Sequence, residues 1–134
     1  MKAKEILSWV LRAAIAIILL QTLYFKFTAD PYSVFIFTKL GVEPYGRIGL
    51  GIAELVTAVL LLVPRTKIIG GMLSFGIICG AILSHFLVIG INIKDDHGGL
   101  FTLAMVVFAA CIGLFAIHKN EILTFINSML NRWK

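Results

Sequence analysis

Charge is scarce in this chain, and the scarcity excludes more than any motif does. Only 14% of the 134 residues are charged and just 7 are acidic, whereas 60% are hydrophobic. A soluble fold of this size leaves too much surface exposed to hide that much apolar side chain. With a mean hydropathy of +0.99, lipid is the solvent the sequence asks for. Cysteine and proline are rarer still, at two and three residues. Cys79 and Cys111 lie in different apolar runs and form no C-x-x-C pair, so neither a thiol-redox motif nor a metal knuckle is present. There is no basic run interleaved with aromatics, and the net charge of +5 is not a nucleic-acid signal. A Walker-type loop, a G-x-G-x-x-G after a strand, a nucleophile–base pair and histidines at haem-ligand spacing are all missing. So is the inverted repeat of many transporters.

What is there is a set of long apolar runs. About 20 residues cross a hydrocarbon layer about 30 Å thick. Four stretches qualify, at 6–27, 45–63, 68–91 and 99–117, and in lipid each is expected to be a helix. Pro44 opens the second at a first-turn position and Pro64 closes it. Lys2 and Lys4 resemble a signal-peptide n-region, but Arg12 interrupts the run and 8–27 is too long for an h-region, so a retained span is expected. The fold class is therefore all-α, a membrane-embedded antiparallel four-helix bundle forming one domain.

Basic residues set the expected orientation. Lys2, Lys4, Arg65, Lys67, Lys119, Arg132 and Lys134 fall on one side, and Lys26, Lys39, Arg47 and Lys94 on the other. Seven against four places both termini in the cytoplasm. On the outer side, Asp30 followed by Pro31 reads as an N-cap and first helical residue, and Gly41 as a stop, giving a short surface helix over 32–40. At the other end Ile122, Phe125, Ile126, Met129, Leu130 and Trp133 recur at helical spacing, so 119–134 reads as an amphipathic helix on the anionic leaflet. Gly76, Gly80 and Ser84, and likewise Gly49, Ala53 and Thr57, recur at i+4. This spacing lets helices approach closely and is read as packing within the monomer, with the oligomeric state left open.

Glu54 is the one carboxylate deep in an apolar run. A charge at the bilayer centre costs about 2.5–3.5 kcal/mol or more, so a partner or a polar cavity is expected. Arg47 and Glu54 share a helix face, Arg12 and Lys26 lie within about 40° of each other, and Ser74 and His85 within about 20°. The simplest packing points all three stripes inward. On depth, Arg12 matches Glu54 better than Lys26 does, so a direct or water-bridged Arg12–Glu54 ion pair is expected, with Lys26 and His85 in a second, shallower polar layer. Two readings follow, a functional pocket and a packing device that fixes helix register. The Asp95-Asp96-His97-Gly98-Gly99 turn makes a weak ligand set and reads as a solvated turn, so no metal is expected.

Several short motifs in order resemble the DoxX family of small four-helix membrane proteins. They are Leu11-Arg12-Ala13 and Tyr24-Phe25-Lys26-Phe27 in the first span, Gly51-Ile52-Ala53-Glu54-Leu55 in the second, and Leu60-Leu61-Leu62-Val63-Pro64-Arg65 at its exit. Gly80-Ala81-Ile82-Leu83-Ser84-His85 follows in the third span, and Asp96-His97-Gly98-Gly99-Leu100-Phe101 leads into the fourth. The resemblance implies a bacterial inner-membrane protein associated with oxidoreductase complexes, or an assembly partner of other membrane proteins. On the first reading the chain is an accessory subunit, with no covalently bound cofactor. Arg12, Lys26 and Arg47 hold a quinone headgroup or small anion, and Glu54 and His85 accept or relay a proton. On the alternatives, the buried charges only lock the bundle or line a small-solute or proton pathway.

Overall fold

Hydrocarbon offers the backbone no hydrogen-bond partners, so the apolar runs must satisfy their own amides and carbonyls. The computed structural model describes residues 2–134, and its regular elements are all helical. The helices are α1 (Ala3–Phe27), α2 (Pro31–Lys39), α3 (Tyr45–Leu62), α4 (Lys67–Ser84), α5 (Gly99–Ile117) and α6 (Lys119–Arg132). A 3-10 turn at Pro64–Thr66 leads into α4, and a π-helical turn at His85–Ile89 follows it. Four helices, α1, α3, α4 with its flanking turns, and α5, are long and apolar enough to cross a membrane.

Helix α1 packs on α3 and α5, and α4 packs on the same two. Their shared core is Ile15, Leu19, Leu61, Ile78, Ala104, Val107, Ala110, Cys111 and Leu114. One end of the bundle gathers the start of α1 and of α4 against the ends of α3 and α5. There Leu11 lies against Gly113, and Gly71 against Leu114 and Phe115. At the other end Ile36 and Phe37 of α2 pack on Ile89 and Ile93. Helix α2 starts where its sequence says it should: the Asp30 side chain accepts from the Tyr32 amide, Pro31 takes the first turn, and Gly41 has a φ of 78° just past the end.

Three details depart from the sequence-based expectations. The third span is not α-helical to residue 91. Its last turn widens, the Gly90 amide donates to the His85 carbonyl five residues back, and Gly90 at φ 80° ends the helix. Pro44 is the N-cap of α3 rather than a first-turn residue. The glycines of the small-residue stripes do not make close approaches inside the monomer either, although Thr57 of the second stripe is buried. A Cβ on Gly49, Gly76 or Gly80 would meet nothing within 4 Å. The close approach is instead at Gly70, where a Cβ would stand 2.7 Å from the Leu61 nitrogen and 2.9 Å from the Leu60 carbonyl carbon. Spacing shows where helices are permitted to touch, and burial decides where they do.

Helix α6 buries no residue, and Leu123, Ile126, Met129, Leu130 and Trp133 stay exposed on its apolar side. Among the described residues its one salt bridge to the bundle is Glu121 to Lys67 at 3.4 Å.

Gly70→Ala forces the α3–α4 hairpin apart and costs about 1–3 kcal/mol, whereas Gly76→Ala is neutral or slightly stabilising. Thermal unfolding of the two variants in detergent checks the contrast.

Candidate functional site

The inward face of α1 carries Ser8, Arg12, Ile15, Leu19 and Lys26, all buried and spaced three, four or seven apart. That spacing lines polar groups up along the bundle interior, where each must find a partner.

Lys26 finds Glu54. Lys26 Nζ stands 2.9 Å from Glu54 Oε2, and both side chains are almost wholly buried. Lys26 Nζ also donates to Thr22 Oγ1 at 2.9 Å. The Thr22 hydroxyl has one proton to give, with the Leu19 carbonyl at 2.8 Å and Glu54 Oε2 at 3.3 Å as acceptors. Arg47 holds the other flank. Its Nε donates to the Glu43 carboxylate at 2.9 and 3.0 Å, and its Nη1 donates to the Lys26 carbonyl.

The direct Arg12–Glu54 ion pair, one of the two forms expected from depth, is not made. Side chains on a helix lean toward its N-terminus, and the lean decides the pairing. Lys26, near the C-terminal end of α1, reaches back one turn to Thr22 and so drops to the level of Glu54. Arg12 leans the opposite way with respect to Glu54. Its Nε donates to the Leu61 carbonyl at 2.7 Å, and its guanidinium carbon sits 3.8 Å over the Trp9 ring.

His85 bonds elsewhere than to Lys26. It is buried, with Nδ1 2.8 Å from the Gly90 carbonyl and its ring edge-on to Phe101 at 5.3 Å. A carbonyl only accepts, so this bond puts the proton on Nδ1 and leaves Nε2 of the neutral ring as an acceptor. Ser74, on the same helix, donates to the Gly71 carbonyl at 2.9 Å and lies 3.4 Å from Cys111 Sγ. Among the described residues no three His, Cys, Asp or Glu side chains gather as metal ligands.

Two further constellations escaped the sequence reading. At the α5–α6 elbow, Ser8 Oγ lies 2.7 Å from His118 Nε2, and His118 Nδ1 lies 3.1 Å from Glu121 Oε1. The connectivity imitates a nucleophile–base–acid triad. However, Ser8 is 2% exposed in the interior of α1, where helix amides are spent on the helix and none is free for an oxyanion. The chain of bonds is a brace between α1, α6 and Lys67. Burial would raise the Glu121 carboxyl, but hydrogen bonding to His118 and the charge of Lys67 bring it below the ordinary range. A histidine between an apolar span and an amphipathic tail is a signal, but nothing in the sequence marks Ser8 as its partner.

The second is the loop between the π-helical turn and α5. Asp96 is not simply solvated. Its carboxylate accepts from the amides of Ile93, Gly98 and Leu100 and from the Tyr32 hydroxyl at 2.7 Å, which docks α2 on the loop. Burial opposes ionisation here. The Tyr32 bond and the three amide bonds outweigh it and hold the carboxyl at about 2. Burial, then the Asp96 bond and charge, push the Tyr32 phenol well above its usual range. Asp followed two residues later by Gly was the available signal, an Asx-type turn.

A bundle of four lipid-length helices with an ion pair closed inside it defines a multi-pass membrane protein. The profile of the DoxX-like family matches residues 10–114, and the chain belongs to that family. The matched segment holds Arg12, Lys26, Arg47, Glu54 and His85, while Ser8, His118 and Glu121 lie outside it. Comparison with curated proteins finds no match, and neither does comparison with solved structures.

Because the folded Asp96 carboxyl lies below its ordinary value of 3.8, its contribution is complete above that pH and is lost as the pH falls toward 2. Asp96→Asn abolishes this dependence and costs about 2 kcal/mol, the worth of hydrogen bonds to a charged group. Hydrogen exchange at the Ile93, Gly98 and Leu100 amides, followed against pH, reads both effects.

Proposed function

We propose that this DoxX-like protein is an accessory subunit of an oxidoreductase complex in the bacterial inner membrane, with the Lys26–Glu54 cluster as its working site. The observation that carries the reading is a carboxylate and an ammonium at 2.9 Å inside an apolar bundle, shared with a threonine hydroxyl. The Lys26 ammonium and Thr22 hydroxyl are donors suited to the carbonyl of a quinone headgroup or to a small anion. Glu54 is the proton acceptor beside them. His85, fixed by Gly90 with Nε2 left as an acceptor, is the second proton-handling group. A π-helical turn beginning at a buried histidine supports this use, since such turns recur at functional sites. A bound quinone would supply the redox chemistry, and the chain's own residues orient the headgroup and hold or move protons.

The orientation is N-in and C-in. Lys26 and Arg47 are buried inside the bundle, so only Lys39 and Lys94 of the four basic residues assigned outside count as free charge there. Seven remain on the other side, a stronger bias than the raw count. The exposed apolar side of α6 then rests on the inner leaflet.

One observation favours a second reading. The ion pair is closed on itself, with Lys26 and Glu54 in contact and Arg47 occupied by Glu43 and the Lys26 carbonyl. That is the arrangement of a register lock in an assembly or scaffolding protein.

Glu54→Gln leaves the Lys26 ammonium buried without its counter-charge and destabilises the bundle by about 3–5 kcal/mol. Adding Lys26→Met restores folding on either reading. With the working site, the refolded double variant still joins its complex but has lost turnover; with a register lock it is fully active.

A further inference from the structure

Three buried residues carry a fixed positive charge, Arg12, Lys26 and Arg47. Lys26 faces Glu54 and Arg47 faces Glu43, each at 2.9 Å. Among the described residues no salt bridge includes Arg12. It is 3% exposed, and after Nε is spent on the Leu61 carbonyl its Nη2 is buried without a hydrogen-bond partner. The negative end of the α3 dipole and the indole face of Trp9 offset part of this charge. Neither supplies an acceptor for the remaining donors. A guanidinium with its Nη groups unspent is the group that holds carboxylate or phosphate through paired N–H bonds.

We propose that Arg12, covered by Trp9, binds a phosphate-type oxyanion at the end of the bundle where α1 begins and α3 ends. Leu61 is the next-to-last residue of α3, and the chain turns away at Pro64. The guanidinium therefore sits where the span gives way to the headgroup layer. The oxyanion available at that level is the phosphate of a lipid headgroup or a free phosphate, and both present the same oxygens. Trp9 is 36% exposed with its ring 3.8 Å from the guanidinium carbon, and in this proposal the indole is the cover whose displacement admits the anion. Lys4, Arg65, Lys67 and Lys119 lie at the same end and draw anions toward it. This site is separate from Lys26–Glu54 and rests only on the bundle being embedded in a membrane. Its failure leaves the Glu54 result untouched, and the reverse.

The chain has two tryptophans, so Trp133→Phe leaves Trp9 as the sole reporter. The full-length protein in non-ionic detergent is titrated with inorganic phosphate, with short-chain phosphatidylglycerol, and with a diacylglycerol of the same chains that lacks phosphate. The expected result is a saturable change in Trp9 emission with phosphate, with phosphatidylglycerol, or with both, and none with diacylglycerol. A response to phosphatidylglycerol alone identifies a lipid headgroup, and a response to phosphate identifies a free anion. Arg12→Gln abolishes the change, and Arg12→Lys, a point charge without the fork, weakens binding by about tenfold or more. The proposal is overturned by the absence of any saturable change, by an equal response to diacylglycerol, or by Arg12→Lys binding as tightly as arginine. Should Arg12→Gln fail to fold, the lysine variant alone carries the test.

Discussion

Two opposite charges 2.9 Å apart, Lys26 Nζ and Glu54 Oε2, join the C-terminal end of α1 to the middle of α3, and the remaining polar contacts of that half of the bundle arrange themselves around them. Hydrocarbon makes the pair obligatory. Neither group can turn to water, and removing one partner strands the other. Thr22 and the Lys26 carbonyl, held by Arg47, then fix where the ammonium sits. In a soluble protein such a pair is one contact among many. Here it ties together two helices whose apolar faces are otherwise interchangeable with lipid.

The same two helices exchange arginines. Arg12 leaves the first half of α1 and donates to Leu61 near the C-terminus of α3, while Arg47 leaves the first turn of α3 and donates to Lys26 near the C-terminus of α1. Each C-terminal end has carbonyls with no partner in its own helix, and each receives a cation from its neighbour where the helix dipole favours one. The exchange works only if the helices run in opposite directions at one offset. It therefore reinforces the alignment that the ion pair sets. The docking of α2 is a separate matter, settled by the bond from Tyr32 to Asp96 of the loop before α5 and by the small apolar cluster around Ile36 and Ile93.

Much of this was legible in the sequence, and the misses share a cause. Long apolar runs, the Asp30-Pro31 start and the Gly41 stop depend on composition and local backbone chemistry, so the spans and the short outer helix could be placed. That Arg12, Lys26, Arg47, Glu54 and His85 all lie inside the bundle followed from helical periodicity. Their pairing did not, because backbone depth is a poor guide when a lysine stem reaches back a full turn. Gly76 and Gly80 misled for a related reason: a small residue permits a close approach without requiring one. The bond between Ser8 and His118 spans 110 positions, and no local pattern announces contacts at that separation. The widened turn at His85 is likewise a consequence of tertiary packing, in which the ring stays buried while bonding Gly90.

The two ends of the bundle are chemically unequal. At the end where α1 finishes and α3 begins, each buried charge among the described residues is matched, Lys26 by Glu54 and Arg47 by Glu43, and the Asp96 carboxylate of the nearby loop accepts four hydrogen bonds. At the other end Glu121 is divided between His118 and Lys67, and Arg12 retains a buried donor with nothing to receive it. A balanced end can serve as a lock or as a preset acid–base site, since its charges already sum to zero. An end with surplus positive charge can reach balance only by taking an anion from its surroundings. The surplus lies where the chain leaves the apolar layer, the depth at which a bilayer presents phosphate. Under the two proposals, the division of charge along the bundle separates a proton-handling site from an anion-recognising one, within a single four-helix frame.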